Sequence, residues 1–167
     1  YYGLNGSASY KEQLLNLEVD SVDFENKKIN LPDSREVLMD ALLEKVCKEA
    51  INQKIYVKLG NKGGTNEDYL LNPDSKYVIK VKPTAISNNG LNALGEGGVK
   101  KRMTMISDYL GVKLTPSILK MSGVYELLKQ QHKKMTIEEA ENLLKNNGLS
   151  IRRNNLIPIL RELNEQV

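Results

Sequence analysis

The chain of 167 residues has no tryptophan, one phenylalanine, one histidine and one cysteine. A lone cysteine, Cys47, cannot close an internal disulfide, and with His132 as the sole imidazole there is no Cys/His zinc cluster. A disulfide scaffold and a zinc finger are excluded, and a reducing cytoplasm is the expected setting. Long apolar runs are missing too, so no membrane span is predicted. The start, Tyr1-Tyr2-Gly3-Leu4, has neither an initiator methionine nor a basic-then-apolar signal pattern. These features predict a cytoplasmic protein that is neither secreted nor membrane-spanning and is a piece of something longer. No metal or cofactor is implied, and a single histidine leaves no Ser–His–acid arrangement to propose.

What is present is ordinary globular composition, 40% hydrophobic and 27% charged, enough for one domain over residues 1–167 with a real core. The net charge of +3 is unevenly spread. Residues 76–134 carry eleven basic against three acidic side chains, an excess of +8, whereas 1–34, 35–75 and 135–167 give −3, −1 and −1. An excess of this kind points to a polyanionic partner, nucleic acid first; lysine-rich surfaces that serve only solubility are the plainer alternative.

Ser9-Tyr10-Lys11-Glu12 has capping-box spacing, and Leu14, Leu15 and Leu17 follow, which predicts a helix over 10–19. Val22, Phe24, Ile29 and Leu31 alternate with polar residues around Glu25-Asn26-Lys27, predicting a β-hairpin. Ser34 is expected to cap a helix with Val37, Leu38, Ala41, Leu42, Val46 and Ala50 on one stripe, Met39 and Cys47 being packed with it. Ile55–Val57 and Tyr77–Val81 read as strands, and 84–98 as loop. Three further helices are expected to follow the one that Gly111 ends: one begun by Thr115-Pro116, one opened by the Thr136/Glu139 capping box and closed by Gly148, and one holding Leu156, Ile159, Leu160 and Leu163 with Pro158 in its first turn. The fold class is α+β, mainly helical, with a small antiparallel three-stranded sheet at one side.

Gly60-Asn61-Lys62-Gly63-Gly64-Thr65 lacks P-loop spacing, and Gly95-Glu96-Gly97-Gly98 is not in dinucleotide-binding register, so both read as turns. The second does set helix N–H groups beside Lys100, Lys101 and Arg102, of which at most two can face one phosphate strand. His132 reads as an exposed cation at a helix end, Glu138-Glu139 as first-turn acids, and Met103 and Met105 as core filler.

Leu14-Leu15-Asn16-Leu17-Glu18-Val19-Asp20-Ser21-Val22-Asp23-Phe24-Glu25-Asn26-Lys27-Lys28-Ile29 resembles the tyrosine recombinase (phage integrase) segment E-L-L-x-L-x-W-x-D-I-D-F-x-x-x-x-I. Leu114-Thr115-Pro116-Ser117-Ile118-Leu119-Lys120-Met121-Ser122 is similar to the family's L-T-P-H-x-L-R-H-T. The resemblance implies a fold whose members cut DNA with a tyrosine, aided by two arginines, a lysine and histidine-type residues. The matching positions have changed. The first arginine falls at Asn5 or Tyr10, and the histidine, arginine and second histidine of the other motif fall at Ser117, Lys120 and Met121. The later L-G-H falls at Asn147-Gly148-Leu149, and the tyrosine expected near Pro158 has no counterpart, Tyr125 being the last in the chain.

The resemblance therefore implies an integrase fold without catalytic residues, hence no enzyme. It would act as a sequence-specific, double-stranded DNA-binding repressor of prophage genes that occludes operators and maintains lysogeny. Expected contacts are Lys80, Lys82, Lys100, Lys101, Arg102, Lys120, Arg152 and Arg153, with Lys80 and Lys82 standing for the family's β-strand lysine region. For Arg152 and Arg153, flanking a surface helix is the equal alternative. An N-terminal domain of the same chain would complete a clamp around DNA, with no membrane involved and the oligomeric state open. The rivals are an active recombinase and a protein-interaction module derived from one.

Overall fold

The computed structural model describes residues 14–32, 34–59, 67–83, 86–87, 90–91 and 93–167. They form two compact units, one ending at Thr115 and the other spanning Pro116–Val167. Among the described residues the architecture is α+β, with five α-helices and one antiparallel three-stranded sheet.

In the first unit the sheet grows from a turn. Asp23 opens it by accepting the backbone N–H and the side-chain N–H of Asn26, at 2.9 and 2.7 Å, and Lys27 takes a left-handed φ of 52°. These bonds hold the Asp23 carboxyl below its ordinary range, the backbone N–H of Asn26 most of all. The flanking strands are β1 (Val22–Asp23) and β2 (Lys28–Asn30), and β3 (Glu36–Leu38) pairs with β2. Register sets Val22, Ile29 and Val37 in one row, all buried, with Ile29 fully inaccessible. Lys28 and Glu36 pair at 2.7 Å, away from that row.

The expected Ser34 cap and its helix are corrected here. Ser34 has φ 64° and donates its N–H to Leu31, so the chain turns and returns as β3. The helix α1 (Ala41–Asn52) starts later, capped by Asp40, whose side chain accepts the Leu43 N–H at 2.8 Å. Its buried face is Leu43 and Cys47, and Leu42 and Val46 are exposed. The expected stripe was displaced by one residue. Cys47 and Met39 are buried as expected, and burial pushes the Cys47 thiol up.

Three other expectations fail in the same unit. Residues 10–13 of the expected first helix lie outside the described residues; Leu14–Asn16 form a turn, Glu18 bridges Tyr77, and Val19–Ser21 are 3-10. Tyr77–Val81 is not a strand, although Val78 donates to the Leu17 carbonyl and Val78 and Val81 are buried. The partner of β4 (Ile55–Tyr56) is instead β5 (Tyr69–Leu70). Within 84–98 there is a short pair, β6 (Ile86–Ser87) and β7 (Gly90–Leu91), and α2 (Glu96–Leu110) already begins at Glu96. Gly111 ends α2 as expected, with φ 66°. Gly60–Thr65 lies outside the described residues.

The second unit is α3 (Pro116–Lys129), α4 (Ile137–Asn146) and α5 (Arg153–Gln166) around one cluster: Val124 and Leu128 of α3, Ala140 and Leu144 of α4, Leu156, Leu160 and Leu163 of α5. The capping box forms in full, Thr136 accepting from the Glu139 N–H while the Glu139 carboxylate accepts from Thr136. Those bonds lower the Glu139 pKa, the Thr136 backbone N–H being the largest cause. Leu119, expected on the apolar face of α3, is half exposed. Pro158 lies in the second turn of α5, not the first. The buried row Leu156, Leu160, Leu163 runs through it, so packing outweighs the missing N–H.

Candidate nucleic-acid interface

The first unit contains five of the expected contact residues. Lys80 and Lys82 lie on no strand, which corrects their placement in a β-strand lysine region. Arg102 turns inward: it donates to the Lys80 carbonyl at 2.8 Å, and its guanidinium lies 4.7 Å from the centroid of the Tyr56 ring. Tyr56 faces Tyr69 across β4 and β5, the rings stacked with centroids 4.9 Å apart. Lys82 covers the far side of Tyr69 at 4.7 Å. The result is a four-layer stack, Lys82–Tyr69–Tyr56–Arg102, bound by cation–π attraction. Burial, the largest effect, pushes the Tyr56 hydroxyl up. Lys100 reaches Glu96 at 3.6 Å, one turn back on α2. Lys101 is exposed and has no ion-pair partner among the described residues. Three successive cations on one helix thus diverge, as 100° per residue requires.

The second unit contains a cavity of about 520 Å³. Ser117, Lys120 and Met121 of α3 form one part of its lining, and Ser150, Ile151, Arg152 and Asn155 form the other. The reason they meet is the core: Val124 and Leu128 bind α3 to the Leu156 and Leu160 face of α5, which carries the start of α5 to the start of α3. Among the described residues, two cations and no acid line it. Arg152 precedes α5, where no side chain caps the free N–H groups. Neither Lys120 nor Arg152 has an ion-pair partner among the described residues. Arg153 differs. It holds Glu141 with two bonds, at 2.9 and 2.6 Å, which lower the Glu141 pKa.

Three of the five positions set against the family's motifs, Ser117, Lys120 and Met121, therefore share one cavity. Leu149 does not join them; it is buried in the core, and its neighbour Ser150 lines the cavity. Tyr10 and Asn5 lie outside the described residues. Tyr125 packs against the core and donates its hydroxyl to Glu162 at 2.9 Å. His132 is exposed, as expected, with φ 49°. Sequence reasoning missed Tyr56, Tyr69, Ser150 and Asn155. Only the loop-crossing register pairs the tyrosines, while Ser150 was legible as the residue beside Leu149.

A cavity with paired cations, hydroxyls and a helix start is suited to an anionic oxygen group. The chain is an integrase-like domain. The family model described as "MrpR, C-terminal catalytic domain" matches residues 1–166, and the chain belongs to that family. No curated protein matches the chain. Among the described residues no helix is long and apolar enough to cross a membrane, and no cluster of three His, Cys, Asp or Glu side chains could hold a metal.

Proposed function

We propose that the chain is the double-stranded DNA-binding part of a transcriptional repressor, an integrase fold that grips an operator and breaks no bond. In this reading it maintains prophage lysogeny, and it resembles the C-terminal domain of the master repressor of lysogeny of SPβ-like phages of Bacillus. One observation carries the reading: the cavity offers Lys120 and Arg152 to a phosphate, and among the described residues no tyrosine or imidazole lines it. Holding a phosphodiester takes only cations and N–H groups. Cutting it takes a nucleophile and stabilisation of the transition-state charge as well. Lys120 supplies charge without the bidentate fork of an arginine. Among the expected contacts, Lys101, Lys120 and Arg152 are the best presented, while Arg102, Lys100 and Arg153 act first within the fold.

The family description includes the word catalytic, which makes strand cleavage the competing reading. A nicked suicide duplex drawn from genomic fragments selected by the full-length protein separates the two. The expected product is a complex that dissociates in denaturing detergent and whose affinity falls steeply with salt; a covalent adduct reverses the conclusion. Tight binding of another protein with little response to salt, and none of DNA, supports the interaction module instead.

A further inference from the structure

The α3/α5 cavity is larger and less polar than a seat for one backbone phosphate needs. About 520 Å³ falls in the range of small-ligand sites, roughly 300–1,000 Å³. Its lining divides by chemistry. Lys120 and Arg152 supply two positive charges, Ser117, Ser150 and Asn155 supply neutral hydrogen-bonding groups, and Met121 and Ile151 supply an apolar wall. The apolar pair has no use for a phosphate oxygen. It suits the flat or aliphatic part of an organic group attached to one.

We propose that this cavity binds a free phosphomonoester of nucleotide size and that such a ligand releases DNA by taking the same two cations. The proposal rests on the DNA-binding reading above. A duplex phosphate is a diester with one negative charge, and its duplex keeps it at the mouth of a depression. A terminal phosphomonoester carries close to two charges at neutral pH and three free oxygens. It thus matches a two-cation seat better than the polymer does, while its organic part lies along Met121 and Ile151. The ligand and the operator are then competitors for Lys120 and Arg152, and the ligand concentration sets the fraction of protein on DNA.

Three soluble probes with one base and one sugar isolate the phosphate: adenosine 5′-monophosphate, its 3′,5′-cyclic diester and adenosine. Binding is followed by amide chemical shifts of the full chain and by displacement of a fluorescent operator duplex, at matched ionic strength. The monophosphate is expected to shift the amides around Ser117–Met121 and Ser150–Asn155 and to displace the duplex, at least tenfold more effectively than the diester; adenosine does neither. Lys120→Gln and Arg152→Gln are each expected to weaken the monophosphate tenfold or more, and Lys129→Gln/Lys133→Gln, at the other end of α3, to leave it unchanged. Inorganic phosphate as effective as the monophosphate removes the role of the apolar wall and overturns the proposal. So does absence of shifts at these amides at about 10 mM probe, tenfold above a weak affinity of about 1 mM, or binding without displacement. Failure of the duplex itself to bind refutes the DNA-binding reading, whereas the shift experiment alone decides whether the nucleotide enters.

Discussion

Arg152 and Arg153 are neighbours in sequence with opposite uses. Arg153 is bonded twice to Glu141, whereas Arg152 lines the cavity with Lys120. Replacing Lys120 or Arg152 by glutamine is expected to weaken operator binding and to flatten the dependence of log K on log salt by about 0.9 for each phosphate that is no longer neutralised. Arg153→Gln is expected to lower the melting temperature instead and to leave that slope intact; a slope change at Arg153 equal to that at Arg152 contradicts the assignment. The same division explains how much of the site was legible. The L-T-P flank located Ser117, Lys120 and Met121 from sequence, because all three lie at fixed spacing from it on the helix that Pro116 begins. The availability of a cation was not legible, since it depends on whether an acid from another element reaches it, as Glu141 reaches Arg153 across twelve positions. Arg102 shows the same limit: nothing local reveals that Tyr56 and the Lys80 carbonyl claim it.

At the scale of elements, local signals succeeded where they close within one turn. The Thr136/Glu139 box, Pro116 at a helix start and Gly111 at a helix end were each read from a few adjacent residues, and each stands in the structure. Thr136→Ala is expected to destabilise the second unit by about 1 kcal/mol in urea unfolding, as loss of a threonine cap does. The segment of β3 fits a helix by local periodicity, because Val37, Leu38, Ala41 and Leu42 fall on one helical stripe. What decides it is the free edge of β2, which pairs Glu36–Leu38 and is invisible to local periodicity. Pro158 gives the opposite test. It interrupts the hydrogen bonding of α5 at an exposed position while the apolar row is buried on the other side. Pro158→Ala is therefore expected to raise stability by about 1–3 kcal/mol, read as a higher urea midpoint with unchanged slope. A lower midpoint shows that the interruption of α5 is itself a packing requirement.

For the whole molecule, the balance of charge governs how it survives acid. Asp23 and Glu44 in the first unit, and Glu139 and Glu141 in the second, all have carboxyl groups held below their ordinary range by hydrogen bonds; Lys48 is the chief cause at Glu44 and Arg153 at Glu141. A carboxyl whose pKa is lower in the folded than in the unfolded chain stabilises the fold above its unfolded value, and this contribution disappears as pH falls through the folded value. Both units therefore lose stability in the same direction below the ordinary carboxylate range. Protonation of the 21 acidic side chains also leaves 24 lysines and arginines unbalanced, which adds self-repulsion concentrated in residues 76–134. The expected outcome is a melting temperature nearly level between pH 7 and pH 5 and falling steeply toward pH 3, with added salt recovering part of the loss by screening. Thr136→Ala removes the hydroxyl that helps to lower Glu139, so it is expected to show a smaller acid-induced drop from its own lower starting point. Thermal scans of the two proteins at matched ionic strength give the comparison; an equal drop in both removes the Thr136 hydroxyl from the acid response and leaves it to the backbone bond of Glu139 and to Asp23, Glu44 and Glu141.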